Sequence, residues 1–333
     1  MTRLLLAGTG LIGHRHLEHI LEHPDFDLAG IIDPVAERRA MADAPGFPDI
    51  GGVDVDADGI VIATPTDTHA PLAIEAARRG WHILVEKPLA GTLEDADRMI
   101  AAARDAGVHI LVGHHRRHHP VVSRLQKIVA EGALGQPVLA SLIWAMCKPD
   151  GYFVPEWRAG MNGAPVKQNL IHDIDTLRYL FGEIREVVGI GSNAVRGAQR
   201  TESGGAVLAF EGGMTVTIAF ADTTPTPWGF EAGTGESPGI PKTGQDSLRI
   251  AFTRGGVEFP SLKVWSGAED WSEVPQMRQI NVEHGVPLVR QLEHFADVIA
   301  GHSAPIIDGT DGRRTLEATL RVEAATLHWG AGA

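Results

Sequence analysis

The apolar run Leu4-Leu5-Leu6-Ala7 leads directly into Gly8-Thr9-Gly10-Leu11-Ile12-Gly13. A short strand that meets glycines at the spacing G-x-G-x-x-G has few ways to continue. The first glycine allows a tight turn, the second lets backbone approach a ligand, and the third lets the next helix pack close to the strand. A helix starting near Leu11 then presents unpaired N–H groups and a positive dipole end, which suit a pyrophosphate. The motif alone is weak evidence. Here a strand precedes it, a helical pattern follows it, and Asp33 closes the next apolar run (Leu28 to Ile32) twenty residues beyond Gly13. An acidic residue there suits the ribose 2′-hydroxyl of NAD and repels the 2′-phosphate of NADP. Gly8, Gly10, Leu11, Ile12, Gly13 and Asp33 are thus the expected dinucleotide contacts, with NAD favoured over NADP.

Up to about residue 120, apolar runs alternate with helical patterns, as in a parallel sheet with crossover helices. The runs are Leu4–Ala7, Leu28–Ile32, Ile60–Ala63, His82–Val85 and His109–Val112, with helical stretches around 11–22, 68–79 and 92–106. Residues 43–58 are rich in Asp, Gly and Pro, which predicts a trimmed sheet edge. Beyond Val121 the pattern turns β-rich. A helix over 121–131, a strand over 137–146, an irregular stretch over 147–166 and a helix over 168–181 precede strands around 184–191, 205–210, 214–220, 247–253 and 256–259. Helices over 287–300 and 310–328 finish the chain. The expected architecture is α/β: an N-terminal Rossmann domain (1–120) and a C-terminal α/β domain (121–333) with an open, mainly antiparallel sheet. One sheet face should carry helices, and the other would expose apolar surface unless a second subunit covers it. The stretch 222–245 holds four prolines and five glycines, which is long for a plain hairpin, so Trp228 and Phe230 there could form a lid or a subunit contact.

The 333 residues include 44% hydrophobic and 21% charged side chains, and the net charge is −13. That balance, with no long basic face, argues against nucleic acid or an anionic membrane as the main partner. One cysteine, Cys147, rules out an intrachain disulfide or a thiolate metal cluster. No leader-like start and no run near eighteen apolar residues is present, so a cytoplasmic location is the expectation.

Two constellations could carry chemistry. In Glu86-Lys87-Pro88, Lys87 ends a strand, at the sheet edge where ligands bind in open α/β folds. Pro88 forces extended backbone at Lys87, and the bond between them can be cis. A lysine beside a nicotinamide could shuttle a proton, although a strand-end lysine is more commonly a solvated surface group. In Lys167-Gln168-Asn169-Leu170-Ile171-His172-Asp173-Ile174-Asp175, helical spacing puts His172 one turn from Gln168 or Asn169 and from Asp175. That reads equally as an acid/base site and as a capping cluster. The run His114-His115-Arg116-Arg117-His118-His119 resembles a metal site in composition, but no metal is assigned. His115, Arg116 or Arg117 could instead reach substrate or cofactor. Lys148, Tyr152, Trp157 and Arg158 combine aromatic faces with cations, suited to stacking on a sugar or cyclitol ring, or simply to anchoring the connection.

Together the glycine turn, Glu86-Lys87-Pro88 and the helix Asn169-Leu170-Ile171-His172-Asp173-Ile174-Asp175 resemble the glucose–fructose oxidoreductase/inositol dehydrogenase/rhizopine-catabolism (Gfo/Idh/MocA) family. Ala63-Thr64-Pro65-Thr66 with His69, Trp157-Arg158 and Asp311-Gly312-Arg313-Arg314-Thr315-Leu316-Glu317 extend the resemblance over nearly the whole chain. It implies that Lys87 orients the substrate oxygen, that His172 gives or takes the proton, and that Thr64, Pro65, His69 and Glu86 lie by the cofactor. Where many members carry an aspartate, four residues before the histidine, this chain has Gln168, which cannot act as a base; the glycine pair before the helix is reduced to Asn162-Gly163-Ala164. The resemblance further implies a homodimer or homotetramer acting on a small polyhydroxylated substrate, with His115, Arg117, Trp157, Arg158, Gln168, Asn169 and Asp175 as expected substrate contacts. Two alternatives stand beside it: a dinucleotide-bound sensor or co-repressor without turnover, and an enzyme that retains NAD while eliminating or hydrolysing a glycoside.

Overall fold

In the computed structural model, which describes residues 1–154, 156–160 and 163–327, the N-terminal apolar runs align as a parallel sheet. The elements are β1 (Thr2–Ala7), α1 (Leu11–Glu22), β2 (Phe26–Ile32), α2 (Ala36–Arg39), β3 (Gly46–Phe47), β4 (Gly59–Ile62), α3 (His69–Arg78), β5 (His82–Glu86), α4 (Leu93–Ala106) and β6 (Ile110–Gly113). Strand order is β3-β2-β1-β4-β5-β6, so the order reverses beside β1, where doubly wound sheets bind ligands. Leu4, Leu5, Leu6, Ile60, Val61, Ile62, Ile83 and Val85 are fully buried, as strands covered on both faces must be. Only one short helical turn and the two-residue β3 follow β2 before residues 50–58, the expected trimmed edge. Thr92 caps α4 by accepting from the Asp95 N–H, and Gly107 ends that helix in the left-handed region (φ 70°).

The next elements are α5 (Pro120–Glu131), β7 (Pro137–Ala145), α6 (Glu156–Ala159), α7 (Ile171–Phe181), β8 (Ile184–Ser192), β9 (Ser203–Phe210), β10 (Thr215–Ala221), α8 (Phe230–Thr234), β11 (Leu248–Phe252), β12 (Gly255–Phe259), β13 (Lys263–Ser266) and β14 (Gln276–Gln279). They build a sheet of order β14-β13-β12-β11-β7-β10-β9-β8, antiparallel except for the β7–β10 pair. One face buries Leu142, Trp144, Leu208, Phe210, Val216, Ile218 and Ile250 with Val122 and Leu125 of α5 and Ile174 and Leu177 of α7. On the other face the register sets Val188, Val207, Thr217 and Ser141 in one row and Ile190, Gly205, Ala219 and Ile143 in the next. Val188 (61%) and Ile190 (62%) are more than half exposed there, so this face is open and apolar in the single chain.

The last helices are α9 (Pro287–Ile299) and α10 (Gly309–Thr326). The chain divides into one unit of Met1–His118 with Val286–Glu317, and another of His119–Gly285 with the chain from Ala318 onward. The sequence pattern places one boundary near 120, whereas the structure returns Val286–Glu317 to the first unit. The difference has a packing cause. Leu288, Leu292, Phe295 and Val298 form a buried stripe on α9, and a Cβ on Gly59 of β4 would meet Phe295 and Ile299. Arg117 donates to Asp311 at 2.6 Å and to the Ile306 carbonyl at 3.1 Å, and Arg313 donates to Asp97 at 2.6 Å. The returning segment is therefore stitched to the first, parallel-sheet unit.

Three further expectations change. Strands β13 and β14 lie where none was read. The segment 222–245 is not bare loop: Trp228 bridges Ala145, and α8 buries Phe230, whose ring lies 5.5 Å from that of Phe259. Phe230, at 2% exposure, is core rather than lid. The helix read from 168 instead begins as a π-helical turn, Val166–Leu170, and becomes α-helical at Ile171. Among the described residues no helix is long and apolar enough to cross a membrane.

Candidate active site

Gly8 has a φ of 85°, which side chains disfavour, and a Cβ there would meet the Ala63 carbonyl oxygen at 2.8 Å. A Cβ on Gly13 would collide with the Gly8 carbonyl oxygen, so α1 can approach β1 this closely only with glycine. Gly10 differs: its missing Cβ faces open space. No side chain caps α1 and its first turn carries no acid, so its N–H groups face that space uncompensated. Leu11 is 84% exposed at the mouth and Ile12 is half-buried. These residues fit a dinucleotide pyrophosphate.

Asp33 is 2% exposed and works on the turn itself. One carboxylate oxygen accepts from the Thr9 N–H (3.0 Å) and Thr9 hydroxyl (3.2 Å), and the other accepts from the Val35 N–H at 3.0 Å. A carboxylate offers about four acceptor sites, so capacity for a ribose hydroxyl remains. Arg38 stands 3.9 Å away, half exposed. Asp33→Ala is expected to cut the preference for NAD over NADP about tenfold, the value of one charge-assisted hydrogen bond. Paired titrations of the two cofactors would read this, and an unchanged ratio would remove Asp33 from the ribose site.

Lys87, half-buried, follows β5, and the Lys87–Pro88 bond is cis. Glu86 is buried behind it. Its carboxylate meets His16 Nε2 at 2.9 Å and accepts from the Lys87 N–H at 3.3 Å. Burial pushes the Glu86 carboxyl up, but the His16 bond and the charges of His16, His115 and Lys87 outweigh it and hold the group below its ordinary value. Gly113, at the end of β6, leaves room for this side chain: a Cβ there would sit 3.0 Å from a Glu86 oxygen. His16 did not stand out in the sequence. Its signal was position, on the buried stripe Gly13, His16, Leu17 and Ile20 of α1, where a polar residue requires a partner.

Thr64 is half-buried after β4 and Pro65 is exposed. The Thr68 hydroxyl donates to the Pro65 carbonyl at 2.6 Å and lies 2.6 Å from Thr64 Oγ1. His69, expected beside the cofactor, is 1% exposed, with Nε2 2.9 Å from the Thr64 carbonyl and Nδ1 3.0 Å from that of Pro88. Both ring nitrogens are committed to backbone, so His69 acts on the site through the turns it joins.

The histidine run disperses. His115 is half-buried and His114 buried; His118 is buried 5.2 Å from the His294 ring, its pKa pushed down to about 3 by burial; His119 caps α5. Among the described residues no three His, Cys, Asp or Glu side chains converge as metal ligands. Arg117 is 3% exposed and bound to Asp311, so it fastens the fold rather than reaching outward to a substrate.

In the second unit His172 is the second residue of α7 and is buried, as are Asp173 and Asp175, the last at 0% exposure. The π winding just before α7 inserts extra backbone, a feature frequent at functional sites. Gln168 and Asn169 therefore do not stand in the α-helical register to His172 that the sequence suggested. Both are half-buried. Arg158 lies 4.4 Å over the Tyr152 ring and Lys148 4.8 Å from it. Trp157 lies on α6, but its side chain falls outside the described residues, as does Asn162. Beside this group is a cluster the sequence did not reveal. Buried Asp222 accepts from Arg196 (2.6 Å) and Arg200 (2.8 Å), and Phe153 lies 5.0 and 4.3 Å from those guanidinium groups.

Comparison with known proteins places these features among relatives. The profile of the Gfo/Idh/MocA oxidoreductase family, NAD-binding Rossmann fold, matches residues 2–114, and that of the Gfo/Idh/MocA C-terminal domain matches residues 122–258. The chain is 32% identical to 1,5-anhydro-D-fructose reductase of Ensifer adhaerens over 276 residues, covering 81% of this chain and 77% of that protein. Its fold is similar to UDP-N-acetylglucosamine 3-dehydrogenase GnnA of Acidithiobacillus ferrooxidans, with TM-score 0.79, 23% identity and 98% of each chain covered. It is also similar to the WlbA dehydrogenase of Bordetella pertussis in complex with NADH and UDP-GlcNAcA, with TM-score 0.77, 24% identity and 97% and 96% covered.

Proposed function

The chain belongs to the Gfo/Idh/MocA family of NAD-binding oxidoreductases, and on that footing we propose that it moves a hydride between NAD and a secondary alcohol of a sugar, cyclitol or related polyhydroxylated small molecule. NAD supplies the hydride acceptor; the protein supplies orientation and charge. Lys87 holds the substrate oxygen and stabilises the charge that grows on it. His172 takes the hydroxyl proton during oxidation and returns it during reduction, with Lys87 as the other group able to carry it. Tyr152, Arg158 and Lys148 offer a ring face and cations to a polyol, and Gln168 and Asn169 offer amides.

The observation that carries this reading is the placement of Lys87. It ends β5, next but one to the strand that feeds the glycine turn, on a segment anchored through buried Glu86 and His16. The names of the relatives, reductases and dehydrogenases of sugars and cyclitols, support the same class. The two open rows that carry Val188 and Val207, and Ile190 and Ile143, support a homodimer or homotetramer that covers this face.

The test is initial-rate NADH formation across inositols, aldoses, sugar acids and glycosides, with NADP in parallel. At least one polyol should yield NADH, faster with NAD than with NADP. Silence from the whole panel, from protein that binds NAD, would overturn the dehydrogenase reading.

A further inference from the structure

The imidazole of His69 sits between two oxygens that can only accept. Nε2 lies 2.9 Å from the Thr64 carbonyl and Nδ1 3.0 Å from the Pro88 carbonyl. A neutral imidazole has one N–H and one lone pair, so it can bond one carbonyl while pointing a lone pair at the other. The imidazolium has two N–H groups and bonds both. The two carbonyls belong to the turns that follow β4 and β5, paired neighbours in the sheet, and the second turn carries Lys87. His69 is the first residue of α3, which the small buried residues Ala70, Ala73, Ala76 and Ala77 allow to lie close to the sheet. The ring thus has little room to turn away.

We propose that His69 is a positioning residue for Lys87, its ring tying the Pro88 carbonyl on the lysine turn to the Thr64 carbonyl on the neighbouring turn, through one link as neutral imidazole and through both as imidazolium. The inference rests on the reading of Lys87 as the group that holds the substrate oxygen.

The charged group whose field reaches the ring is Glu86, held in turn by His16 and acted on by His115 and Lys87. Burial pushes the His69 pKa down, while the carbonyls of Thr64, Pro88 and Leu89 and the Glu86 charge oppose it; the balance lies below the ordinary histidine value. The second link therefore forms on the acid side of that value. His16 braces the same segment from its other side through Glu86, so the lysine turn is held at both flanks.

The experiment uses the full chain and needs no substrate. Acetylation of Lys87 by acetic anhydride is measured by peptide mass spectrometry between pH 5 and 8, as a ratio to exposed Lys127. The His69 ring is followed in parallel by NMR of ¹³C-labelled histidine, its signal assigned by loss in His69→Gln. In the wild type the Lys87/Lys127 ratio should step, by about threefold or more, where His69 titrates; in His69→Gln the step should vanish. An identical profile in both proteins overturns the proposal. If His69→Gln does not fold, His69→Asn supplies both the assignment and the comparison, and an identical ratio profile in it and the wild type overturns the proposal. Turnover with the best substrate of the panel separates the two readings. If Lys87→Ala abolishes turnover but the ratio ignores His69, the clamp fails and the role of Lys87 stands. If the step is present but Lys87→Ala turns over normally, the clamp stands and the catalytic reading fails.

Discussion

Lys87→Ala is expected to lower turnover by about 10²–10⁴-fold, the usual contribution of a positioned acid–base group, and to leave NAD affinity within about threefold. The two effects separate because the parts are separate. The glycine turn and the N-terminus of α1 would hold the dinucleotide, with Asp33 bonded to the Thr9 and Val35 N–H groups beside that turn. Glu86 keeps its His16 bond when the neighbouring amine is removed, so the backbone that carries position 87 stays in place. Lys87→Arg should rescue little, since a planar fork does not replace a compact ammonium at one oxygen. Steady-state rates and NAD titration on the same preparations give both numbers. Wild-type turnover in Lys87→Ala would take the residue out of the mechanism.

The second large effect distinguishes two glycines of one motif. Gly10→Ala adds a methyl to open space at an ordinary φ of −66°, so folding stability should hardly change. That methyl occupies the space proposed for the pyrophosphate, and NAD affinity should fall at least about a hundredfold, roughly 2.7 kcal/mol. Gly13→Ala drives a methyl into the Gly8 carbonyl oxygen, which is backbone and cannot rotate away. Helix α1 must then lift from β1, at about 1–3 kcal/mol of stability in addition to the lost binding. Urea unfolding with NAD titration separates the variants. If Gly10→Ala binds NAD as the wild type does, the cofactor does not sit at this turn.

Much of the first unit was legible because local rules and tertiary demands agree there. Strand, glycine turn and helix are contiguous, and each apolar run is long enough to be buried on both faces. What failed were features set by distant partners. That α9 returns to the first sheet depends on Gly59 making room for Phe295, a pairing across more than two hundred residues. His69 reads in sequence as a residue beside the cofactor loop, whereas its ring contact with the Pro88 carbonyl, nineteen positions later, is visible only in the fold. The Asp222 cluster draws Arg196 and Arg200 from beyond β8, and no short-range pattern announces it. The five-residue π turn Val166–Leu170 before α7 is an irregularity that helical periodicity averages away. By contrast the open row on the second sheet followed directly from alternation along β7 to β10.

The returning segment also sets the order in which the protein can be completed. The nucleotide-binding unit contains Met1–His118 but closes only with Val286–Glu317. At about 5–20 residues per second, roughly ten to thirty seconds of synthesis separate its two parts. During that time the glycine turn and Lys87 have emerged, while Gly59 and His118 wait for Phe295 and His294. The stretch His119–Gly285 is made between those two parts, and its own unit is in turn completed only by the chain from Ala318 onward. The end that starts first on the ribosome is thus finished late, and a chain cut short before residue 286 carries the nucleotide-binding turn without the helix that covers its sheet.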